Sequence, residues 1–173
     1  MKKIIFIDCG DTLVDESTQA FDENETVIDV EFVEGAVEGL NYLYDKGYTI
    51  VLVADGKYQS FINIFDKIGF THKFKGFITS EKVGQLKPDK AMFQAAFNCL
   101  PMDMQDKSDI LMVGNNLRRD IKGANDFGIT SVWMNWSPRY FHEFEEESWK
   151  PDYEVASMKE LINLIEILEK NSI

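Results

Sequence analysis

Five short runs of apolar, β-prone residues recur along the chain, at 4–7, 48–55, 73–80, 109–114 and 129–134, with segments of helical spacing between and after them. This alternation constrains the fold more than any other feature. Strands joined through helices run parallel, and a parallel sheet must be covered on both faces. A run such as 4–7, apolar at every position and closed by turn residues, reads as a buried strand. Between the runs, 35–47 places Val37, Leu40, Leu43 and Tyr44 at helical spacing, with Gly47 as its stop. Segment 57–70 does the same with Phe61, Ile64, Phe65 and Ile68. Further helices are expected at 88–100, with Pro88 in the first turn, at 116–128, closed by Gly128, and at 158–170. The acidic stretch 14–31, β-prone on either side of Asp22–Glu25, reads as a small hairpin flap, and 135–151 as irregular. No linker or repeat divides the 173 residues, so the expectation is one domain over 1–173: a doubly wound α/β fold, its sheet mainly parallel, with helices on both faces.

Charge and cysteine usage exclude several partners. A net charge of −12 argues against nucleic acid and against anionic membranes. No apolar stretch approaches the ~20 residues of a membrane span and no cleavable leader is evident, so a cytoplasmic protein is expected. Cys9 and Cys99 make neither a disulfide framework nor a metal-binding spacing. An anionic substrate would need local help from a lysine, a metal or backbone amides.

That help is available where the strands end. Asp8 follows the first run, Ala54 and Asp55 close the second, and Gly114 and Asn115 close the fourth, with Asp120 a helical turn further on and Lys87 just before a helix. In a parallel sheet these positions converge at one edge, where open α/β sheets bind ligands. Each residue alone is more often structural than catalytic, so the weight lies in their coincidence. Asp8 and Asp120 offer oxygens to Mg²⁺, Lys87 a counter-charge for an anion, and the amides around 8–12 and 54–56 a cradle for phosphate.

In order, Asp8-Cys9-Gly10-Asp11-Thr12-Leu13, Ala54-Asp55-Gly56, Lys87-Pro88-Asp89 and Gly114-Asn115-Asn116-Leu117-Arg118-Arg119-Asp120 resemble the four motifs of the haloacid dehalogenase superfamily, most of whose members are Mg²⁺-dependent phosphohydrolases. The resemblance runs from about residue 3 to residue 168. It implies that Asp8 is the nucleophile that becomes an aspartyl-phosphate, and that Lys87 holds both nucleophile and phosphoryl group. It implies further that Thr12 fixes the first loop, and that Asp8, the Gly10 carbonyl, Asn115 and Asp120 surround Mg²⁺. Ala54, Asp55 and Gly56 would border the substrate.

Three positions depart from that pattern. Gly10 stands where the phosphatases carry a second aspartate as general acid and base, and the carboxylate sits one place later, at Asp11. Ala54 replaces a hydroxyl that bonds phosphate, and Asn115 replaces a charged metal ligand. A positioned acid/base is worth about 10²–10⁴ in rate, so roughly 3–6 kcal/mol of barrier lowering is missing unless Asp11 or Asp55 restores it. Dehalogenases of the superfamily also lack the second aspartate, although no dehalogenase substrate pocket is evident here.

The space between the first motif and residue 35 is too short for a helical cap domain. This points to the flap, to the aromatic, acidic segment 133–149, or to a second copy or partner protein as a lid over a phosphorylated small molecule or macromolecule. Trp133, Trp136 and Trp149 are expected to pack on the core, His72 and His142 to be surface or packing residues, and Cys9 to be a buried, inert thiol. Arg118 and Arg119 are expected in surface ion pairs. Two functions therefore stand side by side: a phosphohydrolase with a rearranged acid/base, and a weakened relative that binds a phosphorylated ligand or a protein without turnover.

Overall fold

A computed structural model describes residues 3–171. Its strands are β1 (Ile4–Ile7), β2 (Val14–Phe21), β3 (Val27–Phe32), β4 (Thr49–Ala54), β5 (Gly76–Thr79), β6 (Ile110–Gly114), β7 (Thr130–Met134) and β8 (Tyr153–Val155). Six of them form one sheet in the order β5-β4-β1-β6-β7-β8, and every neighbouring pair is parallel. The chain builds outward from β1 in both directions, through β4 to β5 and through β6 to β8. The carboxyl end of β1 is therefore the point at which the strand order reverses, where this architecture leaves a crevice. β8 is a strand that the apolar-run pattern does not reveal, since Tyr153 and Glu154 are exposed and only Val155 is buried.

The helices are α1 (Ala36–Asp45), α2 (Tyr58–Asp66), the single turn α3 (Ser80–Val83), α4 (Lys90–Asn98), α5 (Lys122–Phe127) and α6 (Met158–Lys170). Side chains alternate across each strand, so a strand covered on both sides must be apolar throughout. In β1, Ile5 and Ile7 join a core with Leu40, Leu43, Ile64, Phe65, Leu161 and Ile165, while Ile4 and Phe6 join an opposite core with Met92, Phe93, Ala124 and Phe127. Helices α1, α2 and α6 thus cover one face, and α4 and α5 the other. No helix among the described residues is long and apolar enough to cross a membrane.

Three local expectations are corrected. The buried side of α1 is Ala36, Gly39, Leu40 and Leu43, whereas Tyr44 is 41% exposed and meets the edge of the Phe70 ring. Pro88 lies outside α4, whose cap is Asp89, its carboxylate accepting the Ala91 N–H at 2.8 Å. Helix 116–128 does not start as an α-helix: Leu117–Ile121 forms a π turn, in which the Asn116 carbonyl accepts N–H bonds from Arg119, Asp120 and Ile121.

Strands β2 and β3 make a separate antiparallel hairpin over the expected flap. Its turn is tied by Asp22, which accepts the N–H groups of Asn24 and Thr26, both at 2.9 Å. The hairpin rests on α2, where the Val27 N–H donates to Ser60 Oγ and Asn63 donates to the Val27 carbonyl, each at 2.9 Å. Trp133 and Trp149 are buried with Leu117 and Ile121, and Trp136 packs on the larger core, as their apolar bulk requires.

Candidate active site

Asp8, Gly10, Ala54, Asp55, Lys87, Asn115 and Asp120 come together in one cleft at the carboxyl ends of β1, β4 and β6. The cleft encloses about 50 Å³, room for a group of a few heavy atoms when a liquid water takes ~30 Å³. Lys87 organises it. Its ammonium is buried, donates to Asp8 Oδ1 at 2.8 Å and to the Val53 carbonyl at 2.8 Å, and forms an ion pair with Asp120 Oδ1 at 2.7 Å. Burial works against this charge, but the carboxylates of Asp120, Asp8 and Asp55 outweigh it and hold the lysine pKa above its usual value. Burial, then the charge of Asp8, pushes the Asp120 carboxyl upward, with Lys87 opposing.

Asp120 is aimed by the π turn, and its second oxygen accepts the Asn116 N–H at 3.0 Å. The approach is so close that a Cβ on Gly114 would lie 2.3 Å from the Asp120 carboxyl. Gly114→Ala is therefore expected to push Asp120 off Lys87 and to cost about 1–3 kcal/mol in urea unfolding, as overpacked sites do. A variant as stable as the parent would mean that the turn yields freely.

Asp120, expected to hold a metal, lines the cleft with its buried Oδ1 beside the Lys87 ammonium and accepting no hydrogen bond, while Oδ2 accepts the Asn116 N–H. A different oxygen set faces the cleft: Asp8 Oδ2, the Gly10 carbonyl and the Asn115 carboxamide. With its nitrogen inward, Asn115 donates to Asp8 Oδ2 at 3.1 Å and to Gly10 O at 3.0 Å. With its oxygen inward, three oxygens converge, the donor type that a hard, partly hydrated Mg²⁺ takes. The set fits that ion in kind, with one formal charge. Among the described residues no three His, Cys, Asp or Glu side chains gather as a metal cluster. Trp133 holds this loop from behind, its indole N–H donating to the Asn115 carbonyl at 3.0 Å.

Asp11, Thr12 and Gly56 do not line the cleft. Thr12 is buried behind Asp8, its hydroxyl 3.4 Å from both Asp8 Oδ2 and Asn115 Oδ1, which suits a residue that fixes the loop rather than one that touches substrate. Gly56 turns its N–H to Ser80 Oγ at 2.8 Å, and the N–H groups of Asp11 and Thr12 close the first turn onto Val14 O and Cys9 O. These amides are not free to cradle phosphate. Asp55 accepts the Lys87 N–H at 2.9 Å and pairs with Arg119 at 3.4 Å, so its charge is compensated and it braces the lysine loop. Cys9 is buried in the core with its thiol pKa raised, first by burial and then by Asp8, so it is inert. Arg118 lies over the Phe141 and Trp149 rings and pairs with Glu145 at 3.2 Å.

Asp11 has a quite different place from the acid/base position. Its backbone adopts a positive φ of 51°, and its fully buried carboxylate accepts from the Glu16 N–H at 3.0 Å, Ser137 Oγ at 2.9 Å and two guanidinium nitrogens of Arg139. Arg139 also reaches Asp15 at 2.7 Å. Asp11 thus ties the irregular segment to the first motif. Arg139→Met leaves a buried carboxylate short of its cation and is expected to cost roughly 2–3 kcal/mol in urea unfolding. That is below the ~3–5 kcal/mol of a fully buried pair because the Arg139 side chain is 33% exposed. A loss under about 0.5 kcal/mol would show that Ser137 and Glu16 N–H suffice.

Sequence reasoning missed Glu16, Ser137, Arg139 and Tyr140. Glu16, from β2, and Tyr140 both line the cleft, and the tyrosine hydroxyl donates to Glu16 Oε2 at 2.8 Å. A Cβ on Gly10 would lie 1.9 Å from Glu16 Oε1. Burial raises the Glu16 carboxyl pKa, Tyr140 opposes, and the charges of Asp11 and Asp8 add to the rise. The available signal was the marking of the flap and the aromatic segment as a rim.

Known proteins are similar to this chain in sequence and fold. A family model described as haloacid dehalogenase-like hydrolase matches residues 6–134. The (S)-2-haloacid dehalogenase of Pseudomonas sp. (strain YL) is 30% identical over 129 residues, covering 75% of this chain and 53% of its own. The pyrimidine 5′-nucleotidase PynA of Streptococcus pneumoniae is 26% identical over 140 residues, 80% of this chain and 56% of its own. A structure from Bacillus subtilis assigned as the HAD-hydrolase YfnB, solved bound to magnesium, superposes with a TM-score of 0.67 at 25% identity, over 78% of this chain and 56% of that one. The chain spans about half the length of the curated relatives it matches.

Proposed function

This chain belongs to the haloacid dehalogenase-like hydrolases, and from that membership we propose that it hydrolyses phosphate monoesters through a covalent intermediate on Asp8. The observation that carries the reading is the three-way contact of Lys87 with Asp8, Asp120 and the Val53 carbonyl. It holds Asp8 Oδ1 in a fixed direction, leaves Oδ2 toward the cleft, and places a permanent positive charge where a phosphoryl group would arrive. The walls favour phosphate over a haloalkanoate: Glu16, Asp55, Asn115, Asn116, Arg119 and Tyr140 are polar, and only Ala54 and Phe61 are apolar side chains. Relatives named as a nucleotidase and as a dehalogenase bracket the chemistry.

In the proposed reaction the Asp8 carboxylate attacks phosphorus through one of its oxygens and the ester oxygen departs. Lys87 stays charged throughout, balancing first the carboxylate and then the transferring group. Asp120 orients Lys87, and Asp55 and Arg119 hold the loop that carries it. Mg²⁺, held by Asp8, the Gly10 carbonyl and Asn115, would shield the negative charge between nucleophile and phosphoryl group. With one charged ligand in that set, Mg²⁺ should bind weakly, and Asn115→Asp is expected to tighten it about tenfold or more by calorimetry. An unchanged affinity would place the ion elsewhere.

The direct test is acid quenching of the wild type during turnover of small phosphate esters, followed by mass analysis of the peptide containing Asp8. A phosphoryl adduct on Asp8, with Mg²⁺-dependent release of phosphate, is expected. No adduct and no hydrolysis across the esters would leave binding without turnover as the function.

A further inference from the structure

We propose that Glu16 is the general acid and base of this site, supplied from the hairpin strand β2 in place of the carboxylate that position 10 lacks. The inference rests on the phosphohydrolase reading and names the group that completes it. Its basis is a matter of volume. Gly10 has no side chain, and the space beside its Cα is already filled: a Cβ there would meet Glu16 Oε1 at 1.9 Å, Cδ at 2.8 Å and Cγ at 2.9 Å. A carboxylate therefore stands where an aspartate on the first motif would begin, carried in from six residues downstream. The glycine is what admits it.

The carboxylate is held for the task. The Glu16 N–H donates to Asp11 Oδ1 at 3.0 Å, which ties its backbone to the first motif, and Tyr140 fixes Oε2 at 2.8 Å. That leaves Oε1, on the Gly10 side, facing the cleft it lines with Asp8. The other two carboxylates that could take the role are committed. Asp11 is fully buried against Arg139 and Ser137, and Asp55 is bound to Arg119 and the Lys87 N–H.

The step balances on these atoms. The Asp8 carboxylate forms a bond to phosphorus, the P–O bond to the alcohol breaks, and the departing oxygen takes the proton of the Glu16 carboxyl. In the second half, water attacks phosphorus, the Glu16 carboxylate accepts its proton, and the P–O bond to Asp8 breaks to release phosphate. Both side chains return to their starting states.

Glu16→Gln keeps the acceptor for Tyr140 and removes the proton. For an alkyl phosphate, kcat/KM is expected to fall about 10²–10⁴-fold. For p-nitrophenyl phosphate, whose leaving group departs unprotonated, it should fall less than about tenfold. An equal fall for both esters, or none, overturns the assignment and leaves the Asp8 reading standing. A second variant decides the matter should Glu16→Gln fold poorly. Glu16→Ala vacates the space, and adding Gly10→Asp to it should recover at least tenfold of the lost alkyl phosphatase activity. No recovery in a folded double variant overturns the proposal. A wild type that neither hydrolyses esters nor acquires phosphoryl on Asp8 overturns the underlying reading and this inference with it.

Discussion

Asp8→Asn is expected to abolish ester hydrolysis and the phosphoryl adduct while leaving the fold as stable as before, or more so. An amide cannot attack phosphorus, and of the two carboxylates paired with Lys87 Asp8 is the more exposed, its side chain at 13% against 1% for Asp120. A loss of at least three decades in kcat is expected, roughly 4 kcal/mol or more at ~1.4 kcal/mol per decade. Stability should move the other way because Lys87 is shared by two carboxylates, Asp8 and Asp120. Neutralising one leaves a balanced pair. The sign with pH follows from Asp120, whose pKa in the fold is raised by burial and by Asp8. A raised carboxyl binds a proton more tightly folded than unfolded, so it costs stability as pH rises. Removing the charge of Asp8 relieves part of that cost, so any gain in melting temperature should appear at neutral and alkaline pH and vanish in acid. Retained activity in Asp8→Asn would assign the chemistry to another group.

Lys87→Met is expected to be the most destabilising single change in the site. It leaves the buried Asp120 carboxylate, and Asp8 beside it, with no ammonium, and breaking a buried pair from one side costs about 3–5 kcal/mol. The loss should depend on pH in a definite direction. Without Lys87 the Asp120 carboxyl is raised further, so folding takes up a proton, and stability falls as pH rises through the neutral range. The variant should therefore lie closer to the wild type at pH 5 than at pH 8 in urea unfolding without metal. A gap that does not change with pH would trace the loss to packing of the lysine stem instead of to charge.

How much was legible in the sequence divides along physical lines. Asp8, Lys87, Asn115 and Asp120 were readable because each follows an apolar run or precedes a helix, and parallel topology alone brings such ends together. The covered faces were readable from strands apolar at every position. The place of Asp11 was not, because it depends on a positive φ at one residue and on an arginine 128 positions away in a segment without period. Glu16 was hidden for a related reason. Which side of a hairpin faces the site is set by register, and this hairpin shifts register between Asp15 and Ala20. The π turn escaped because, over five residues, a widened turn has the same apolar pattern as an ordinary one. β8 escaped because its exposed positions carry Tyr153 and Glu154.

The central position of β1 has a consequence for the order of events at the ribosome. β1 is made before both of its neighbours, β4 on one side and β6 on the other, and β6 begins at Ile110. While residues 8–109 are being translated, one edge of an apolar strand has no partner, which is the condition under which chains pair wrongly or seek a chaperone. The same delay governs Asp11 and Glu16, whose partners Arg139 and Tyr140 arrive later still. A nascent chain short of Tyr140 carries the proposed nucleophile without the clamp on Glu16, so competence for the proposed chemistry waits until that segment is made.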